Sequence, residues 1–171
     1  EEWLEAHRTA HKVGLRSNIT IMFGSIERPE HWADHLLVCR DLQKETGGFT
    51  EFVGLPFVHM ASPIYLRKGA RRGPTFRENL LVHAIARIVY HGYIDNIQAS
   101  WVKIGLDGMK QMLQAGVNDV GGTLNGENIS RAAGAKHGQM LGKSQFEELC
   151  QPLGRELIQR TTLYKSLRGQ N

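Results

Sequence analysis

At 171 residues, 41% hydrophobic and 22% charged, the chain has the size and balance of one soluble globular domain, which excludes a disordered or low-complexity protein. No apolar run approaches the roughly 18 residues of a membrane span, and the acidic, amphipathic start EEWLEAHRTAHK is not signal-like, so the cytoplasm is the expected location. A formal net charge of +4 is modest, and the two cysteines, Cys39 and Cys150, lie inside apolar helical patterns. They read as buried thiols, with no spacing that fits a metal-ligand motif or calls for a disulfide.

In chain order, Leu4, His7, His11 and Leu15 keep near-helical spacing, and Gly14 reads as the helix stop. Asn18 to Gly24 is a short apolar run that predicts a strand covered on both faces. Pro29 opens a second helix, with Trp32, Leu36, Cys39 and Leu42 as its stripe up to Gly47-Gly48. Phe49 to Met60 is the second strand, with Pro56 ending regular pairing. A long loop over 61–74 carries the basic cluster Arg67, Lys68, Arg71 and Arg72. Without interleaved aromatics or a repeated basic stripe, this cluster reads as a solvated or ligand-facing loop, and nucleic acid is not an expected partner.

Thr75 and Glu78 have capping-box spacing ahead of a third helix with a broad apolar face, Leu80 to Val89. Asn96 to Lys103 predicts the third strand, with Gln98 and Ser100 on one face and Trp101 on the other. A short helix from Asp107 to Ala115 stops at Gly116, and Val117 to Thr123 predicts the fourth strand. Ser144 and Glu147 repeat the capping-box spacing before Phe146, Leu149, Cys150 and Leu153. Ile158 to Tyr164 reads as a short strand or an extended tail packing back.

The fourth strand opens the stretch NDVGGTLNGENISRAAG, 118–134. Gly121 and Gly122 free backbone N–H groups for close approach to a ligand, and Asp119 and Glu127 add charge that a plain turn does not need. The alternation of helices and strands predicts a parallel sheet with right-handed crossovers. Neither GxGxxG nor GxxxxGK[ST] occurs, so dinucleotide or nucleoside-triphosphate binding of those kinds is not signalled. Polar residues instead follow several strands: Glu27, His59, Gln98 with Ser100, and Asn118 with Asp119. That convergence belongs to a (β/α) barrel. About four parallel strands with covering helices make the C-terminal half of a TIM-type barrel, a single partial domain over 1–171. Half a barrel leaves inward-facing Ile21, Phe23 or Val53 without a partner, so the sequence reads as a fragment or N-terminally truncated chain.

The stretches GSIE at 24–27, TGGFTEFVGLPFVHMASPIY at 46–65, RRGPTF at 71–76, DNIQASWVKIG at 95–105, GVNDVGGTL at 116–124, ENISRAAGAKHGQ at 127–139 and QRTTLY at 159–164 resemble the C-terminal part of the deazaflavin-forming radical SAM enzymes. The FO synthase family, in its tyrosine-using component, carries the likeness over 1–164, leaving 165–171 as a tail. The resemblance implies a radical SAM barrel and a transferase that moves a 4-hydroxybenzyl group from L-tyrosine to 5-amino-6-(D-ribitylamino)uracil. It implies S-adenosyl-L-methionine and a 4Fe-4S cluster as cofactors of a full-length parent. The family's CxxxCxxC cysteines are absent from this chain, so no metal ligand is expected here and the chain alone is expected to be inactive.

By the same likeness, Met22, Gly24 and Glu27 fall on the cofactor-binding strand, with Thr20 in place of the family's first glycine. His59 is placed to hydrogen-bond the uracil or the tyrosine phenol, and Gln98 and Ser100 to read amide edges of the pyrimidine. Asn118, Asp119 and Thr123 suit ribityl or uracil contacts; Glu127 suits the substrate amine or a helix cap; Arg160 suits a structural anchor. Expected partners are the two substrates, a missing N-terminal half-barrel and a companion radical SAM module, with no membrane. The rival readings are the radical SAM branch of futalosine-dependent menaquinone synthesis, which shares ETGGFT and NIQASW, and a non-catalytic fragment.

Overall fold

The computed structural model describes residues 1–122, 128–137 and 140–167. Helix α1 (Glu2–Lys12) leads into strand β1 (Ser17–Phe23), then α2 (Pro29–Thr46), β2 (Phe49–Pro56), the short α3 (Pro63–Leu66) and α4 (Phe76–Val89). Strand β3 (Ile97–Ala99), α5 (Trp101–Gln114), the short α6 (Ile129–Ala132) and α7 (Lys143–Cys150) follow, and a single 3-10 turn (Gln151–Leu153) closes the series. The strands form one parallel sheet in the order β1-β2-β3. Parallel neighbours joined through a helix are the βαβ arrangement that the alternating pattern calls for.

The two faces of the sheet differ. Ile19, Phe23, Phe52, Ile97 and Ala99 are wholly buried and share one core with Trp32, Leu36 and Cys39 of α2, Val82 and Ala86 of α4, and Met109 and Met112 of α5. Thr20 and Met22 point the other way and are exposed. The inward-facing set expected from the sequence is therefore corrected. Alternation from Ile19 puts Ile21 and Phe23 on the helix-covered face, where Phe23 packs edge-on against Trp32 and His83. Only Val53 lies on the opposite face, in register with Thr20 and Gln98.

Three further boundaries differ from expectation. The third strand ends at Ala99, because the Ser100 carbonyl at once accepts the N–H groups of Lys103 (3.1 Å) and Ile104 (3.3 Å) and starts a helix. Trp101 and Val102 favour a strand by local propensity, but burying both in the core overrides it. The helix breaks at Gly105 (φ 73, ψ 172) and resumes to Gln114. Among the described residues the fourth strand is reduced to one parallel bridge, Gln98 to Asp119. The Asn118 side-chain oxygen takes the Ile97 N–H (2.8 Å), so a side chain replaces a ladder bond and the pairing does not propagate.

Capping follows the sequence at Thr75, where the Glu78 N–H donates to Oγ1 (3.2 Å) and the Thr75 N–H donates back to Glu78 (2.6 Å). It departs at α7, which starts at Lys143: the Gly142 N–H donates to Gln145 Oε1 (2.9 Å), and Ser144 lies within the helix. The tail is a tight reversal, with Arg160 bridging Ser166 in antiparallel fashion. Among the described residues no helix is long and apolar enough to cross a membrane.

Candidate functional site

At the end of β1 the chain turns through Gly24 in the left-handed region (φ +90), and a Cβ there would sit 2.2 Å from Pro74. The loop after β2 therefore seats itself on the β1 turn, reinforced by the Arg71 N–H donating to the Ser25 carbonyl (3.1 Å). Glu27 ties the turn from inside. Its carboxylate accepts the N–H groups of Gly24, Ser25 (3.0 Å) and Ile26 (3.0 Å) and the indole N–H of Trp32 (2.9 Å). Burial alone would raise its carboxyl, but these donors outweigh burial and hold it below the ordinary carboxylate value. The Arg71 guanidinium lies over the Trp32 ring (5.8 Å) and pairs with Glu78 (2.9 Å). Met22, 59% exposed, stands beside Leu55 on the open face.

Across that open face runs one register row, Thr20, Val53, Gln98 and Asp119. Asp119 is buried, and its two oxygens are divided. Oδ1 accepts the Gly121 N–H (2.8 Å), while Oδ2 accepts Arg160 Nε (2.8 Å), Arg160 Nη2 (2.5 Å) and the Tyr164 hydroxyl (2.5 Å). The guanidinium also lies 3.9 Å from the Tyr164 ring centre and 3.6 Å from Glu51. Asn118, although exposed, uses Oδ1 to accept Arg87 Nη2 (2.7 Å) as well as the Ile97 N–H. Ser100 is half-buried at the start of α5.

His59 is half-buried beyond the end of β2, with its ring edge-on to Tyr65 at 4.8 Å. The next turn meets the α6 segment, where the Ala61 N–H donates to the Ala133 carbonyl (3.0 Å). The structure thus gathers Gln98, Asp119 and Asn118 at the third crossover and Met22, Gly24 and Glu27 at the first. His59 lies beside Gly73, the neighbour of the proline that caps Gly24. Thr123 and Glu127 lie outside the described residues. A cleft of about 1840 Å³ opens along Asn118, Gly121, Gly122, Phe146 and Arg160, and a smaller one of about 360 Å³ lies along Thr50, Asn96 and Tyr164.

Glu51 and Tyr164 escaped the sequence reading as site residues. The signal for Glu51 was a carboxylate inside an otherwise apolar strand, while Tyr164 gave none beyond its place in QRTTLY. Cys39 and Cys150 are buried and free. Burial pushes Cys39 up to about 12 and raises Cys150 as well, which disfavours the thiolate that binds iron.

The description of the CofH/MqnC C-terminal region matches residues 46–165. The chain belongs to this family. The matched region takes in Glu51, Asp119, Arg160 and Tyr164 together, and leaves α1, β1 and all of α2 but Thr46 before it. Among curated relatives, the FO synthase of Nocardia farcinica is 54% identical over 162 residues, covering 95% of this chain and 19% of that protein. The FO synthase of Mycobacterium leprae is 53% identical over 98% of this chain and 19% of its own length. The 5-amino-6-(D-ribitylamino)uracil--L-tyrosine 4-hydroxyphenyl transferase of Methanopyrus kandleri is 47% identical over 98% of this chain and 46% of its own length. The chain therefore spans about a fifth of the first two relatives and about half of the third.

Proposed function

We propose that this chain is the substrate-pocket part of a radical SAM transferase of deazaflavin (FO) biosynthesis, which joins the 4-hydroxybenzyl group of L-tyrosine to 5-amino-6-(D-ribitylamino)uracil in the cytoplasm. The observation that carries the reading is identity of about half to relatives of that name along nearly the whole chain. The parallel sheet, with one covered and one open face, suits part of a (β/α) barrel whose lumen is the open face.

On that face Gln98 offers the aminouracil a carboxamide that both donates and accepts. Ser100, at the start of α5, extends the polar edge toward the ribityl chain, and the family likeness assigns Asn118, Thr123 and Glu127 to the same substrate. Asp119, fixed by its own partners, forms the wall. His59 faces the phenol or the uracil from the loop after β2. Met22 presents an apolar ledge for adenine, while Glu27 keeps the Gly24 turn in shape beside it.

S-adenosyl-L-methionine and a 4Fe-4S cluster, which the family implies, supply the radical chemistry when bound. The residues present do not fit the cluster: the chain has two cysteines, both buried, where three thiolates are required. The cluster, a complementary half-barrel and a companion radical SAM module accordingly belong to this proposal as partners of the region described. Assay of the full-length protein with L-tyrosine, the ribitylaminouracil, S-adenosylmethionine and a reductant should give the benzylated adduct. No adduct from that pair, with turnover of a futalosine-pathway substrate instead, would assign the chain to the menaquinone branch. The names of the relatives favour the first outcome.

A further inference from the structure

The reversal at the C-terminal end of the described chain is laid against the sheet by side chains rather than by strand pairing. Within it the Thr161 N–H donates to the Lys165 carbonyl (2.9 Å), the Tyr164 N–H to Thr161 (3.0 Å) and the Leu167 N–H to Gln159 (3.1 Å). Tyr164 itself has φ +60, a left-handed conformation that a bulky L-residue seldom takes without a compensating contact. Its contacts include the Asp119 carboxylate, the face of the Arg160 guanidinium and the Glu51 carboxylate. Cavities open on both sides of this strap, and Tyr164 lines each of them.

Asp119 connects the strap to the polar row. With Oδ2 occupied by Arg160 and Tyr164, Oδ1 is turned toward the Gly121 N–H and fixes the bend there. A Cβ at Gly121 would lie 3.6 Å from Gln98 Oε1, so the bend sets the room around that carboxamide. The path from the strap to Gln98 thus runs through directional hydrogen bonds to Asp119 and from Gly121 to Asp119, and ends in the close approach of the Gly121 backbone to the carboxamide.

We propose that Arg160 and Tyr164 are positioning residues, which act through Asp119 and Gly121 to orient Gln98 toward the aminouracil. This rests on the reading that the open face receives the aminouracil, and it assigns the strap a share in substrate affinity. Neither residue touches the reacting atoms.

The test is made in the full-length enzyme with 5-amino-6-(D-ribitylamino)uracil as the varied substrate. Tyr164→Phe keeps the ring and removes one donor from Oδ2. It should raise KM for the aminouracil about tenfold, the scale of one misplaced hydrogen bond, while kcat and KM for L-tyrosine change little. Arg160→Lys keeps the charge but loses the forked contact, and should shift the same constant in the same direction. Gln98→Ala separates the two layers of the reading. If Gln98→Ala raises the aminouracil KM and the strap variants do not, the strap proposal is overturned and the open-face reading stands. If none of the three moves it, both fail. A lower kcat at unchanged KM, accompanied by a lower Tm, would mark the strap as structural and overturn the proposal as well.

Discussion

A carboxylate that accepts three successive backbone N–H groups and an indole N–H is committed to its own turn, and Glu27 is such a group. Hydrogen bonds to a charged acceptor are worth about 1.5–3 kcal/mol each when a partner is lost, but Glu27→Gln keeps the shape and removes mainly the charge. The variant should be less stable by about 1–3 kcal/mol, read from the urea midpoint at pH 7. The pH dependence carries a second signature. Because the folded carboxyl lies below its ordinary value of 4.5, its contribution is present above that pH and is lost as pH falls through the folded pKa. In Glu27→Gln that part of the acid limb should be missing. An acid limb identical to that of the wild type would show that Glu27 is not charged in the turn.

At the scale of elements, α1 is held in an unusual way. None of its residues is fully buried, and much of its docking passes through one chain of hydrogen bonds. Thr46 Oγ1 donates to the Leu42 carbonyl (2.9 Å), so it accepts from His11 Nδ1 (2.7 Å). Neutral His11 then accepts at Nε2 from the Ser17 hydroxyl (2.8 Å), which in turn accepts from His7 Nδ1 (2.9 Å). The rings of His7, His11 and Trp3 pack on Phe49 around this chain, and the Arg8–Glu45 pair (2.7 Å) flanks it. Burial lowers both histidines below 6.5, and for His11 the neighbouring His7 and Arg16 charges lower it further. A depressed imidazole stabilises the docked state above its unfolded pKa and ceases to do so as pH falls through the folded value. Hydrogen exchange of residues 1–15, corrected for intrinsic rates, should therefore lose protection as pH falls below about 6.5, while β1 and β2 keep theirs. Protection that stays equal above and well below that pH would rule out this role for the histidine chain.

The same residues show what could be seen in advance. Apolar runs and Gly14, Pro29 and Thr75 fix α1, β1, α2, β2 and α4, because local chemistry decides those elements. The strand reading of Asn96 to Lys103 runs past Ala99, since only the core shows that Trp101 belongs to a helix. The fourth strand fails on a single side chain, Asn118, acting as a backbone acceptor. For the site, Gln98 and Asp119 could be placed near one another from strand order. Their link to Tyr164 spans 45 residues and leaves no trace in any local pattern.

For the whole molecule, the two faces of the sheet carry the functional division. The covered face supplies the apolar core and leaves both cysteines inside it, Cys39 in α2 and Cys150 in α7, while the open face carries the polar row. A 4Fe-4S cluster held by protein needs at least three thiolates with access to the iron, and thiols raised by burial are poor sources of thiolate. The isolated chain, reconstituted anaerobically with iron and sulfide and then desalted, should retain far less than one cluster per molecule, with no charge-transfer band near that of a bound cluster. The full-length protein under the same treatment should retain at least one. A stoichiometric cluster on the isolated chain would require Cys39 or Cys150 to leave the core, and would overturn the division of labour between the covered and open faces.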